Sequence, residues 1–222
     1  MKNIIKVAVT AALSLSLVGA FASQSEGGFS VGVKGGYNDM AMPMDSSSLK
    51  IDGVTVLSVT PKQDHYVADV HVAYLWALSD AFQLGAQLGY DYYGQYKSTV
   101  TAGGTSVEGK DKITAPNLQL VGQWNIQQWF IQGRVGAGYF HQSGSASVDG
   151  NNVGNSKSSN KAAPIAGVSA GYFFTDNFSG EVFYDHVFGK DYSDANKDLT
   201  DNNDDKTPPT MNSIGLGITY SF

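Results

Sequence analysis

The last ten residues read Ser213-Ile214-Gly215-Leu216-Gly217-Ile218-Thr219-Tyr220-Ser221-Phe222. Apolar Ile214, Leu216, Ile218, Tyr220 and Phe222 alternate with Ser213, Gly215, Gly217, Thr219 and Ser221, which are small or polar. A β-strand sends successive side chains to opposite faces, so this period of two predicts a strand with one greasy and one small, polar face. Such a strand suits the inside of a soluble sandwich or the wall of a closed membrane barrel. The terminal aromatic, Phe222, favours the barrel, and the rest of the chain decides.

The same alternation recurs upstream, over residues 29–38, 65–78, 82–96, 112–124, 129–141, 163–174 and 178–189. With the last strand that makes eight. The connections between them alternate in length. Ser79-Asp80-Ala81, residues 125–128 and Thr175-Asp176-Asn177 are tight turns, whereas residues 39–64, 97–111, 142–161 and 190–208 are long segments. A soluble sandwich has no reason to sort its loops by end. An outer-membrane barrel does, with short periplasmic turns and long extracellular loops. Strands of about 9–11 residues suffice to cross the bilayer when tilted. Closure then pairs the first strand with the last and leaves no edge for lipid to meet. The predicted fold is all-β: an eight-stranded antiparallel up-and-down transmembrane β-barrel.

Aromatic residues fall at two depths. Trp76, Phe82, Trp124, Trp129, Phe174, Phe178, Tyr220 and Phe222 lie near the short turns; Tyr37, Tyr66, Tyr90, Tyr92 and Tyr139 lie near the other end. Two interfacial girdles are the expected cause.

The N-terminus reads as an export signal. Lys2 and Lys6 precede an apolar run from Val7 to Val18, and Ala20-Phe21-Ala22 resembles a cleavage site. We expect residues 1–22 to be removed and residues 23–222 to form the barrel. Loss of the two lysines takes the formal charge from -6 to -8, so nucleic acid is not an expected partner. No cysteine is present, which fits an exported protein.

These features resemble the small outer-membrane barrels: the OmpA-type transmembrane domain and the OmpX-like proteins. The resemblance rests on the signal, the eight alternating strands, the Ser79-Asp80-Ala81-Phe82 and Thr175-Asp176-Asn177-Phe178 turns, and the strand ending in Phe222. It implies the bacterial outer membrane as location, with membrane lipid and lipopolysaccharide as surroundings and a monomeric state. It also implies that Ile214, Leu216, Ile218, Tyr220 and Phe222 are read by the outer-membrane assembly machinery. No peptidoglycan-binding domain is expected after Phe222.

The inward face carries the charges Lys34, Asp69, His71, Asp91, Arg134, Glu181 and Asp185, and Arg134 is the only arginine. An eight-stranded barrel is just wide enough to be filled by side chains. The set therefore reads as an internal ion-pair network, with Arg134–Glu181 the expected pair because a guanidinium pairs bidentately. A polar plug is the first reading, a gated narrow ion path the second, and a catalytic interior the third.

Three features outside the lumen invite chemistry. His141 and Ser143 share a strand face, as in a nucleophile-and-base pair of a lipid A deacylase, yet no acid is evident to orient His141. Asp194, Asn196 and Asp198 copy the first oxygen positions of a calcium loop, but Leu199 replaces the needed Gly and Asp205 the terminal Glu. Ile51-Asp52-Gly53-Val54, Ala102-Gly103-Gly104-Thr105 and Val148-Asp149-Gly150-Asn151 read as hairpin tips that carry strands beyond the membrane. No nucleotide-binding loop or zinc-protease motif occurs, and no catalytic residue, cofactor or metal is assigned. The expected role is non-enzymatic: structural, adhesive or surface-binding through the loops; a narrow channel is the alternative, and a lipid A-modifying enzyme the third.

Overall fold

Ile214 lies opposite Tyr37, Leu216 opposite Gly35 and Ile218 opposite Val33, in an antiparallel ladder that joins the two ends of the chain. That ladder closes a barrel in the computed structural model, which describes residues 27–40, 47–51, 54–102, 105–148, 151–152, 157–189 and 208–222. The strands are β1 (Gly27–Met40), β2 (Ser47–Ile51), β3 (Val54–Gln63), β4 (Tyr66–Ala77), β5 (Phe82–Ala102), β6 (Thr105–Ile126), β7 (Trp129–Val148), β8 (Asn151–Asn152), β9 (Lys157–Phe173), β10 (Phe178–Val187) and β11 (Met211–Ser221). Eight form the ring, in the order β1-β4-β5-β6-β7-β9-β10-β11 and back to β1. Every neighbour is antiparallel, and the backbone groups of the ring are satisfied by the strands on either side. The expected signal peptide and the acidic stretch with Asp194, Asn196 and Asp198 lie outside the described residues.

The barrel has a low side and a high side. β10 and β11 have 10 and 11 residues, close to what a bilayer requires, but β5, β6 and β7 have 21, 22 and 20. Much of what the sequence suggests as loop, including 97–102, 105–111 and 142–148, is therefore strand. The reason is local. Val100 and Val107 are cross-strand partners among Thr and Ser residues, and this β-prone hairpin closes its own hydrogen bonds without the rest of the ring. The three anticipated hairpins flank paired strands: Ile51 faces Val54, Ala102 faces Thr105 and Val148 faces Asn151. β3 adds to the outer end of β5, where β4 has not yet begun, from Leu57 opposite Ala102 to Gln63 opposite Tyr96. The result is a raised wall made of β2, β3, β5, β6, β7, β8 and the start of β9.

A bulge marks the base of this wall. The β5–β6 register shifts between Tyr92 and Gln95, and Gly94 has a φ of +89°. A Cβ there would lie 2.4 Å from the Asp64 carbonyl oxygen, so only glycine fits. The extra residue swaps which face odd-numbered β5 residues occupy. Below it, Tyr90 and Tyr92 point outward; above it, Gln95 and Lys97 do.

The outer face is apolar, with Leu118, Leu120, Val135, Val168 and Leu216 all well exposed. Aromatic rings gather at both rims of this band. At the short-turn end Phe29 meets Tyr74 at 4.6 Å, Trp129 meets Tyr172 at 4.9 Å and Phe178 meets Tyr220 at 5.0 Å. At the other end the Tyr66 and Tyr92 hydroxyls are 3.1 Å apart, and Tyr37 stacks on His65 at 4.9 Å. The turns themselves are pinned by side chains: Ser79 Oγ accepts from the Phe82 N–H at 3.1 Å, and Thr175 Oγ1 from the Phe178 N–H at 3.0 Å.

Candidate functional site

The lumen is stacked in three layers. Beside the short turns is a small cavity of about 70 Å³, lined by Gln83, Gln87, Gln123, Gln132, His71 and Glu181 among others. Above it sits a charged belt. Above that, towards the raised wall, is an apolar plug of Met40, Val67, Tyr93, Ile113, Phe140, Ile165, Phe183, Val187 and Met211.

The belt follows from the strand register. Arg134 on β7 faces Gly167 on β9, and Gly167 faces Asp185 on β10. With no side chain on the intervening strand, the guanidinium reaches across: Arg134 Nη2 is 2.8 Å from Asp185 Oδ1. A Cβ on Gly167 would sit 1.8 Å from that carboxylate oxygen. Gly217 plays the same part between Lys34 and Glu181, its two cross-strand partners. Lys34 Nζ lies 3.8 Å from Glu181 and 4.0 Å from Asp185, and Arg134 Nη1 lies 3.6 Å from Glu181. Arg134 also donates to Gln132 at 2.7 Å and to Ser169 at 3.2 Å. Its side chain is 0% exposed.

The expected Arg134–Glu181 contact is thus the longer of two. The hydrogen-bonded partner is Asp185, because register puts that residue level with Arg134. Glu181 sits lower and is shared with Lys34. The short β9–β10 turn makes half of this readable from sequence; the β7–β9 register, set across a long connection, does not follow from counting.

Asp69, His71 and Asp91 form a second group. Asp69 faces Lys34 on one side and Asp91 on the other. His71 Nδ1 lies at 2.5 Å from Asp69 Oδ1. Asp91 Oδ2 accepts from the Tyr93 hydroxyl and from Asn117 Nδ2, both at 2.8 Å, and Gln119 donates to Asn117 at 2.9 Å. The seven charged positions singled out in the sequence are therefore neighbours, arranged as two linked groups.

The apolar plug was not anticipated. Its signal is a break in the alternation: Tyr139-Phe140, Val182-Phe183-Tyr184 and Ile165-Ala166 put apolar residues on both faces of one strand. Phe140 and Ile165 are 1% exposed and Met211 0%. Such side chains pack the upper lumen as an apolar cluster.

Elsewhere, the His141 ring is hydrogen-bonded to Asn160, a neutral amide. Ser143 is in strand β7, opposite Lys112 and Ser158. Among the described residues no group of three metal-ligating side chains is present.

A closed eight-stranded antiparallel ring, an apolar exterior between two aromatic belts and a filled lumen specify a barrel built for a membrane. A family model for the OmpA-like transmembrane domain matches residues 24–222. The chain belongs to that family. Its barrel is accordingly one of the bacterial outer membrane. A relative from Coxiella burnetii, itself uncharacterised, is 26% identical over 260 aligned residues that cover 100% of this chain and 99% of the relative. Among solved structures, Ail of Yersinia pestis has 16% identity and a TM-score of 0.48, with 89% of this chain and 99% of Ail covered. OprG of Pseudomonas aeruginosa has 13% identity and a TM-score of 0.47, with 90% and 100% covered. In this OmpA-like domain β5, β6, β7 and β9 give Tyr93, Ile113, Phe140 and Ile165 to the plug and run on into the wall, whereas β1, β10 and β11 end at the plug.

Proposed function

We propose that this OmpA-like domain is a closed, non-conducting and non-enzymatic barrel that holds a raised β-wall at the cell surface for binding. The apolar plug carries this reading. A permeation path needs continuous water, and the burial of Phe140, Ile165 and Met211 in the top of the lumen supports a closed barrel. Short turns face the periplasm in outer-membrane barrels, which places the wall outside. Export by residues 1–22, recognition of β11 by the assembly machinery, insertion as a monomer and contact with lipopolysaccharide belong to the same proposal. Among the described residues β2 is paired on one side only, and its other edge suits an extracellular partner added as a strand, a mode in which main-chain groups supply much of the affinity.

One observation favours a narrow conduit instead: the cavity beside the short turns reaches as far inward as His71 and Glu181. Trimming the wall separates the two readings. Excising residues 96–111 and joining Gln95 to Lys112, which are cross-strand partners, through a two-residue Asn-Gly turn shortens β5 and β6 while sparing the ring. Cells bearing the trimmed barrel are expected to lose adherence to extracellular matrix and to keep unchanged small-solute influx. Altered influx with full adherence would favour the conduit.

A further inference from the structure

The basic residues of the wall are not scattered. Among the described residues, Lys34 and Arg134 lie in the lumen, and every other cation is a lysine of β2, β3, β5, β6 or β9 in the raised part. Three of these stand in one row. Lys62 on β3 is the cross-strand partner of Lys97 on β5, and Lys97 is the partner of Lys110 on β6. Like charges placed directly opposite one another weaken a sheet. Two such pairs in succession are a cost to folding that calls for a compensating role.

The row faces away from the barrel axis. On β6 the inward residues are Ile113, Ala115 and Asn117, so Lys110 and Lys112 take the outward face, and the Gly94 bulge brings Lys97 to the same side. One carboxylate accompanies them on β6: Glu108, paired with Lys110 at 2.8 Å. That hydrogen bond from Lys110 holds the Glu108 carboxyl below the usual carboxylate range. Alternation sends Asp111 to the opposite face. Asp64 also lies near Tyr92, so four lysines stand against two carboxylates, and the patch is positive in a chain whose formal charge is -6.

Its height is informative. Lys112 Nζ lies 5.3 Å from the centre of the Tyr92 ring, a member of the outer aromatic belt. Lys110 is one two-residue step further out, about 7 Å along the strand. The polar headgroup layer adds roughly 5–8 Å to each side of the hydrocarbon core. The row thus stands at headgroup height, on the face that meets surrounding lipid.

We propose that the Lys62–Lys97–Lys110 row, with Lys112 beneath it, is a docking surface for the phosphorylated headgroups of neighbouring outer-leaflet lipids. Three ammonium groups in register span three strands, enough to meet more than one phosphate of a multiply phosphorylated headgroup. The aromatic belt below holds the acyl part at a fixed depth. The inference rests on the proposed orientation, with the wall outside.

The test uses the full chain refolded in detergent, titrated with a bisphosphorylated lipid A and with the same lipid after dephosphorylation. Wild type is expected to bind the bisphosphorylated lipid more tightly, with a preference that falls as salt rises. The triple variant K62Q/K97Q/K110Q is expected to lose about tenfold or more of that affinity. The charge-matched variant K50Q/K157Q/K161Q, on β2 and β9, should keep it. Equal binding of both lipids by wild type, or an undiminished triple variant, would overturn the proposal. So would tighter binding of a soluble sulfated oligosaccharide, which would assign the row to a soluble polyanion. Should the triple variant not fold, K97Q alone and the salt dependence of wild type decide in the same way. None of these outcomes bears on conductance, so the closed-barrel reading stands or falls separately.

Discussion

Single residues decide how the lumen is filled. Arg134 is fully enclosed and holds Asp185 at 2.8 Å with Glu181 at 3.6 Å. Removing one partner of a buried pair leaves the others uncompensated, which costs about 3–5 kcal/mol. Arg134→Ala is therefore expected to lower the urea midpoint of the refolded barrel substantially. The double variant Arg134→Gln with Asp185→Asn, which removes both charges, should recover part of that loss. Equal midpoints for wild type and the single variant would mean the pair is not formed. At the β6–β7 turn, Gln127 has a φ of 57°, where a side chain is unfavourable. Gln127→Gly is expected to stabilise the barrel by about 0.5–1 kcal/mol in the same assay.

At the scale of elements, length separates two jobs. β10 and β11 cross the membrane and stop, whereas β5, β6 and β7 cross and then continue as wall. The sequence makes the crossing part legible, because alternation between lipid and lumen is strict in stretches such as residues 82–92 and 213–222. The wall is less legible. Ser, Thr and Gly in 97–111 carry no lipid face, so the apolar signal that marks a spanning strand fades although pairing continues. The hairpin tips remained readable from their Gly-containing turns. The ion-pair belt was legible as a set, since charges on an inward face are rare, but its pairings depend on register across β7 and β9. The plug is the least legible layer, because Phe140 and Phe183 are ordinary strand aromatics unless both faces of the strand are considered. Phe140→Ala, which empties the space beside Tyr93 (ring centres 5.6 Å apart), is expected to cost about 3–5 kcal/mol of stability. An unchanged unfolding midpoint would mean that the plug is loosely packed.

For the molecule as a whole, the layers form a sequence along the barrel axis: cavity, charged belt, apolar plug, wall. The ring sets the depth of the belt, the plug lies over it, and the wall continues from β5, β6, β7 and β9. A barrel of this kind is expected to migrate differently in unboiled and boiled samples on a denaturing gel, since closure makes the ring resistant to detergent. The binding role proposed for this barrel rests on a shut lumen. Single-channel recording of the refolded full chain in a planar bilayer tests it most directly. A flat baseline is expected for wild type, with openings appearing only when the plug is cut back, as in Phe140→Ala combined with Met211→Ala. Steady unitary currents from the wild-type barrel would contradict it.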